Sequence, residues 1–289
     1  MSLKVAVCGS RHQDSYLEPL RSFFARLADA GFTACVNRRF FNYLSDKGMR
    51  LPAGFLPADT PDPSAIAAVS IGGDGTFLRT AQWVGRASIP ILGVNTGHLG
   101  FLAHYSPDDA DSIADALRQR SFVVEKRMML EVESPLIPAH FWPYALNEVA
   151  ILKEDTSSMI NVHTEIGDRF LADYLADGLI IATPTGSTGY NLSVGGPIMQ
   201  PTLDCRVISP IAPHSLTMRP LVVDADTVIK ATTTSRAHTY RVSLDGRSFV
   251  MTCGTDISIR REPFSISVLR FPADLFADTL RQKLHWAVR

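Results

Sequence analysis

Ala65-Ile66-Ala67-Ala68-Val69-Ser70-Ile71-Gly72-Gly73-Asp74-Gly75-Thr76 carries the clearest architectural signal in the chain. Residues 65–71 form a short, nearly all-apolar run, which is the texture of a strand buried on both faces. Three glycines around one carboxylate interrupt the run, and a helical pattern then extends from Thr76 to about Val84. A strand passing through a tight glycine turn into a helix is the repeating unit of a parallel sheet covered by helices. Thr76 is a capping-type residue and is expected to open the helix. The glycines flanking Asp74 are expected to hold the turn even with asparagine in its place.

Working outward, the same alternation recurs on both sides. Residues 5–8 form a short apolar run ending at Gly9-Ser10, and 16–30 carry Leu17, Leu20, Phe23, Phe24 and Leu27 at helical spacing, closed by Gly31. A strand over 32–36 and a short helix over 40–47 follow, and 52–63, with four prolines, read as a surface loop. Residues 89–94 repeat the strand-then-glycine arrangement, and 107–118 look helical. From 122 the texture changes. Short runs rich in Val, Ile, Thr and Phe lie at 122–125, 129–132, 148–152, 179–182, 221–223, 228–233, 240–244, 256–260 and 264–269, with turn residues between them. That spacing indicates a β-sandwich. Residues 273–285 return to helix, with Leu275, Phe276, Leu280 and Leu284 on one face. The expected fold class is therefore α/β plus all-β. A Rossmann-like α/β domain spans 1–120, a β-sandwich domain 121–272, and a final helix 273–289 docks back on the first domain.

Composition narrows the function classes. The chain has 289 residues, with 28 Lys+Arg against 29 Asp+Glu, a formal charge of −1. Near-neutrality argues against a grip on nucleic acid or on an acidic membrane surface. No apolar run approaches the ~18 residues needed to cross a bilayer. Met1-Ser2-Leu3-Lys4-Val5 has no signal-peptide shape, and Cys8, Cys35, Cys205 and Cys253 are scattered without metal-ligand spacing. The expectation is a soluble cytoplasmic protein with reduced thiols.

Gly72, Gly73 and Gly75 let the backbone approach a ligand closely, and the helix N-terminus behind them favours phosphate. Asp74 stands where open α/β sheets place their sites, at the carboxyl end of a strand. A plain strand-to-helix turn with a capping aspartate is the alternative. The chain has no Gly-Lys pair for a Walker loop, and Gly73-Asp74-Gly75-Thr76-Phe77-Leu78 lacks the third glycine of a dinucleotide fingerprint. A second glycine turn, Asn95-Thr96-Gly97-His98-Leu99-Gly100-Phe101-Leu102, follows the next strand, with His98 read as a turn histidine and not a ligand. Further on, Asn147-Glu148, Asp173 and Asp177 punctuate apolar strands. The run from Thr183 to Ser193, followed by Gly195-Gly196-Pro197, is dense in hydroxyls with nothing to bury. Such a loop is costly to order unless a ligand binds it.

These motifs, in this order and spacing, resemble those of the NAD kinases over nearly the whole chain. Ile211-Ala212-Pro213-His214-Ser215-Leu216-Thr217-Met218-Arg219-Pro220 is similar to a later signature of that family. The resemblance implies an NAD site in the crevice between the two domains. It implies transfer of the γ-phosphoryl of ATP, with Mg²⁺ or another divalent cation, to the adenosine ribose 2′-hydroxyl of NAD. By position Asp74 is the implied proton acceptor, with Gly75 and Arg79 beside it. Asp74, Gly75 and Arg79, with Asn147, Glu148 and Asp177, then Thr188, Gly189, Tyr190, Asn191, Leu192, Ser193 and Arg247, are the implied NAD-binding residues. Gly189 replaces a common alanine, and Arg247 replaces the usual glutamine or asparagine. The implied partners are NAD and ATP alone, with neither nucleic acid nor membrane, and the implied assembly is a homodimer or homotetramer. Two other readings use the same residues. A lipid kinase shares the glycine-aspartate turn, but no amphipathic basic segment faces a membrane. A dinucleotide sensor without turnover would not need Asp74.

Overall fold

The computed structural model describes residues 3–97, 100–154, 158–272 and 274–286. They fall into two compact units, residues 1–126 with 266–289, and residues 127–265. Among the described residues no helix is long and apolar enough to cross a membrane.

In the first unit the strands are β1 (Leu3–Gly9), β2 (Phe32–Asn37), β3 (Phe55–Ala58), β4 (Ala67–Ile71) and β5 (Ile91–Val94). The helices are α1 (Leu17–Asp29), α2 (Arg38–Asp46), α3 (Asp74–Val84) and α4 (Ala110–Gln119). All pairings are parallel, in the order β5-β4-β1-β2-β3. Strand order reverses between β1 and β4, so the crevice at their carboxyl ends is the topological switch point where such sheets bind ligands. The 3.6-residue stripe of α1 works as its spacing requires, because Leu20, Phe23, Phe24 and Leu27 are all buried against the sheet core with Val5, Val7 and Phe55. Three expectations need correction here. The proline-rich loop contains β3, which pairs in register with β2 along Ala34–Asn37. Helix α3 begins at Asp74, two residues before Thr76, and no side chain caps it. Leu275 stands before the last helix and is 60 % exposed, so of the expected face only Phe276, Leu280 and Leu284, all half-buried, lie on that helix.

The second unit continues with β6 (Val123–Glu133), β7 (Tyr144–Ala145), β8 (Glu148–Lys153), β9 (Ile160–Ile166), β10 (Arg169–Ala176) and β11 (Gly178–Ala182). The four-residue helix α5 (Tyr190–Ser193) precedes β12 (Cys205–Ile211), β13 (Leu221–Asp224), β14 (Ile229–Thr234), β15 (Thr239–Leu244), β16 (Arg247–Thr252) and β17 (Asp256–Arg270). One sheet runs β10-β9-β14-β17, with β6 beside β17 and β7 beside β6, and the other runs β13-β12-β11-β8-β15-β16. Alternate residues of both face a shared core that includes Leu130, Val149, Ile151, Val162, Leu179, Ile208, Val242 and Ile257. This is the β-sandwich architecture. The short runs read at 122–125 and 129–132 are one strand, as are those at 256–260 and 264–269. Residues 121–126 and 266–272 belong to the first unit, because β17 carries the chain on to pair Val268 with Ile91. The last helix, α6 (Phe276–Leu284), is in that unit too.

Candidate active site

In the first unit the candidate residues gather where β4 runs into α3. Gly72 has φ +144°, and a Cβ there would lie 2.4 Å from the Thr76 hydroxyl, so only glycine closes this turn. At Gly73 and Gly75 a Cβ would meet nothing within 4 Å, which leaves open space above the helix N-terminus. The Thr76 hydroxyl accepts a hydrogen bond from Arg79 at 2.8 Å and does not cap the helix.

Asp74 does not simply project from the turn. Its Oδ2 accepts the Phe101 N–H at 2.8 Å, and its Oδ1 accepts those of Leu102 and Ala103 at 3.0 and 3.2 Å. The carboxylate therefore anchors the second glycine turn. A carboxylate offers about four lone-pair sites, so Oδ2, with one donor, keeps capacity for a proton. His98 and Leu99 of that turn lie outside the described residues.

Beside this turn, at the carboxyl ends of β1, β2 and β3, is a cavity of about 590 Å³ lined by Ser10, Arg11, His12, Arg39, Arg79 and Trp83. The indole N–H of Trp83 donates to the Asp59 carbonyl at 2.8 Å, and Arg38 clasps the Asp59 carboxylate at 2.6 and 2.8 Å. Arg11, Arg39 and Arg79 thus line a cavity on the β1-β2-β3 side of the sheet's carboxyl edge. Sequence reasoning found only Arg79; the signal for the others was a basic residue just past each strand end. A larger cavity, about 930 Å³, lies in the second unit. Of its lining groups, Lys230 pairs with Asp168, His163 with Asp173, and Glu131 and Glu133 with Arg260.

In the second unit the polar cluster forms around Asp245, a residue that sequence reasoning missed. Asp245 and Gly246 both have positive φ, +48° and +80°, the two-residue turn that joins β15 to β16. The Asp245 carboxylate accepts the N–H groups of Leu146, Asn147 and Glu148 at 2.7, 2.8 and 3.2 Å, fixing the backbone of the Asn-Glu pair. Burial pushes the Asp245 carboxyl up against those three donors. Among the described residues, Asn147 Oδ1 and Glu148 Oε2 are buried without a hydrogen-bond partner. An orphaned buried acceptor costs ~1–3 kcal/mol unless something pairs it, so this pair has capacity for a polar ligand. A Cβ at Gly189 would stand 3.0 Å from Glu148 Oε2 and 3.4 Å from Asn147 Nδ2, so glycine leaves room where alanine would crowd. Arg247 spends its guanidinium on the carbonyls of Trp142 and Tyr144, at 2.8 and 2.6 Å, and lies over the Phe141 and Trp142 rings.

The hydroxyl-rich run is not an unanchored loop. Thr183, Thr185, Ser187 and Asn191 are buried. Asn191 donates to the carbonyls of Ser187 and Pro197 and accepts from Ser209, so its amide is consumed internally. Thr188 donates to the Thr185 carbonyl. Tyr190 is 40 % exposed, Leu192 is half-buried, and Ser193 is exposed. Asp177 is half-buried in a 2.6 Å ion pair with Lys153.

Burial, the nearby Asp245 charge and only one opposing backbone donor, from Tyr190, push the Glu148 carboxyl up to about 7. A folded-state value above the ordinary 4.5 means that stability is complete below about pH 4.5 and is lost as pH rises through 7. Glu148→Gln removes that loss. The variant's thermal midpoint relative to the parent is expected to match it at pH 5 and to exceed it by roughly 3–8 °C at pH 8, for ~1–3 kcal/mol relieved. A difference that stays flat between pH 5 and 8 in calorimetry would show that Glu148 is not held protonated.

A Rossmann-like sheet with an acidic glycine turn, an arginine-lined cavity at its carboxyl edge and a separate sandwich with unmet polar groups fits a nucleotide phosphotransferase. The chain matches the ATP-NAD kinase N-terminal domain over residues 60–122 and the ATP-NAD kinase C-terminal domain over 146–270. It is 43% identical over 285 residues to an NAD kinase of Porphyromonas gingivalis, covering 98% of each chain. To an NAD kinase of Bacteroides fragilis it is 44% identical over 285 residues, again covering 98% of each. Among solved structures it is similar to an NAD kinase from Archaeoglobus fulgidus in complex with ATP, with TM-score 0.73, 26% identity and coverage of 97% of this chain and 99% of that one. Yeast NADH kinase complexed with NADH shares the fold, with TM-score 0.83 at 22% identity, covering 99% and 89%. The chain belongs to the NAD kinase family.

Proposed function

We propose that the protein transfers the γ-phosphoryl group of ATP to the 2′-hydroxyl of the adenosine ribose of NAD, giving NADP and ADP. Family membership carries the reaction, and the Asp74 geometry carries the assignment of the proton acceptor. The bond from ribose oxygen to the γ-phosphorus forms as the bond to the β,γ-bridging oxygen breaks, and the hydroxyl proton passes to Asp74 Oδ2. Phosphoryl transfer of this kind depends mainly on positioning and charge stabilisation. The open helix N-terminus at Gly73, with Arg11 and Arg39, supplies donors and positive charge for the triphosphate, while Gly75 and Arg79 keep the NAD-binding assignment that the resemblance implies, Arg79 also lining that cavity. Asn147 Oδ1 and Glu148 Oε2 supply acceptors for ribose or adenine N–H and O–H groups, with Asp177 and the accessible faces of Thr188, Gly189, Tyr190, Leu192 and Ser193 beside them in the assignment, and the buried Asn191 bracing that run. Arg247 acts on this set by holding the segment that leads into Asn147.

Among the described residues no three metal-ligating side chains converge, and Asp74 is already met by three N–H groups. A divalent cation here fits best as part of the nucleotide substrate, bound to phosphate oxygens, the usual habit of Mg²⁺. The same reading makes the protein a cytoplasmic homodimer or homotetramer, which the particle mass in solution checks.

Purified protein with Mg²⁺, ATP and NAD is expected to form NADP, read out by an NADP-specific dehydrogenase. Excess chelator is expected to abolish the signal, and added Mg²⁺ to restore it. Retained NAD binding without NADP would mark a sensor, and phosphorylation of diacylglycerol with NAD untouched would mark a lipid kinase. Asn147→Ala and Tyr190→Ala are expected to raise the KM for NAD roughly 5- to 100-fold, for ~1–3 kcal/mol of lost pairing or stacking. The KM for ATP should stay within twofold. A rise confined to the KM for ATP would reverse the two assignments.

A further inference from the structure

The Asp74 carboxylate is only as well placed as the three N–H groups that hold it, and those belong to residues 101–103. The next two residues of that segment are gripped by the chain where it leaves β17. Arg270, 5 % exposed, donates to His104 Nε2 at 2.6 Å, since a guanidinium only donates. The Tyr105 hydroxyl donates to the Asp274 carboxylate and accepts the Phe271 N–H at 2.9 Å, and that N–H also reaches Asp274 at 2.9 Å. The Tyr105 and Phe271 rings pack at 4.4 Å, and on α6 Lys283 sits 5.9 Å over the ring of Phe101 itself. Residues 270–283 therefore meet the 101–105 segment at four side chains, although more than 160 residues separate them in sequence.

We propose that Arg270 and Asp274 are positioning residues of the phosphoryl transfer: they set the 101–105 turn, which in turn sets the Asp74 carboxylate. This rests on the reading of Asp74 as proton acceptor. The physical case is one of rigidity. Charged hydrogen bonds such as that of Arg270 are stronger than neutral ones, and a general base displaced by a fraction of an ångström loses much of its effect. Backbone bonds also tie residues 104 and 105 to Gly93 and Asn95, at 3.2, 3.2 and 2.6 Å. Residues 101–103 lie beyond those bonds and could open locally without the fold opening if the side-chain grip on 104 and 105 were lost.

The test uses Tyr105→Phe, which keeps the ring and removes one hydroxyl, together with Asp274→Ala, Arg270→Met and the conservative Arg270→Lys. Two readouts are taken on the full-length protein. In the absence of nucleotides, amide hydrogen exchange at Phe101, Leu102 and Ala103 is expected to quicken about 10-fold or more in Asp274→Ala and Arg270→Met, while β1 and β4 amides keep their rates. In turnover, kcat is expected to fall about 10-fold, with the KM values for NAD and ATP within twofold, and Arg270→Lys to recover part of the loss. Uniform quickening across β1 and β4 would reveal general destabilisation and overturn the proposal. So would unchanged exchange at 101–103, or quickened exchange with unchanged kcat. If the parent protein formed no NADP, the proposed function would fail, and the exchange result alone would still say whether residues 270–274 set the turn.

Discussion

Asparagine in place of Asp74 is expected to lower kcat by ~10²–10⁴-fold, the usual worth of a positioned general base. An amide keeps the shape of the carboxylate but has neither its charge nor its affinity for a proton. The KM for NAD should move far less. The substitution also has a structural cost, because one amide nitrogen would face a backbone N–H where Asp74 now accepts three such donors. Leaving a donor unpaired costs ~1–3 kcal/mol, roughly 3–10 °C in the thermal midpoint of a unit this size. Fold is therefore to be confirmed by circular dichroism below that temperature. Were Asp74 a metal ligand instead, raised Mg²⁺ would rescue turnover in part and the KM for the ATP–metal complex would climb. A folded Asp74→Asn protein within threefold of parental turnover would exclude both roles.

How much of this could be read from the sequence depends on whether the deciding contacts are local. The α1 stripe and the strand–turn–helix around Asp74 are encoded within a dozen residues, so periodicity and glycine placement suffice for them. Strands β9 and β10 escaped because their outward faces carry His163, Glu165 and Asp173, which read as loop polarity until the neighbouring strands are in place. Likewise Arg260-Arg261-Glu262-Pro263 looks like a turn, yet it lies within one strand, where Glu262 is buried and Arg260 reaches Glu131 and Glu133 on β6. The site shows the same division. Residue types marked Asp74, Asn147 and Glu148. What holds them, Asp245 some 97 residues beyond Glu148 and the 101–103 turn, rests on pairings across long sequence separation. The run from 183 to 193 was misjudged as having nothing to bury because its hydroxyls and amides bond within the second unit, a fact visible only once β8, β11 and β12 are assembled.

Gly186→Ala tests that assembly at its tightest point and is expected to be severely disruptive. The Gly186 N–H donates to the Thr183 hydroxyl at 3.1 Å, and that hydroxyl donates to the Leu146 carbonyl at 2.6 Å. The turn thereby sits directly on the Asn147 peptide. A Cβ at 186 would fall 2.1 Å from the Asn147 carbonyl oxygen and 2.4 Å from its carbon, both backbone atoms. No flexible side-chain end is available to move aside. The Asn147 peptide cannot easily retreat either, since Asp245 holds the N–H groups of residues 146–148 on its other edge. Forcing the two segments apart is expected to cost about 3–5 kcal/mol, at or above the upper end of overpacking effects. At ~2–4 °C per kcal/mol, the thermal midpoint should fall by roughly 6–20 °C. In protein that remains folded at low temperature, the orphaned acceptors of Asn147 and Glu148 would no longer face a ligand in the same geometry. NAD affinity should then drop by about 100-fold or more, since ~3 kcal/mol is a factor of that size. ATP binding, assigned to the arginine-lined cavity of the first unit, should hold within twofold in calorimetric titration. A variant whose midpoint stays within 2 °C and whose NAD affinity is unchanged would show that the 183–186 turn does not brace Asn147. Equal losses for NAD and ATP would instead place both nucleotides on the same residues and overturn the division of labour proposed above.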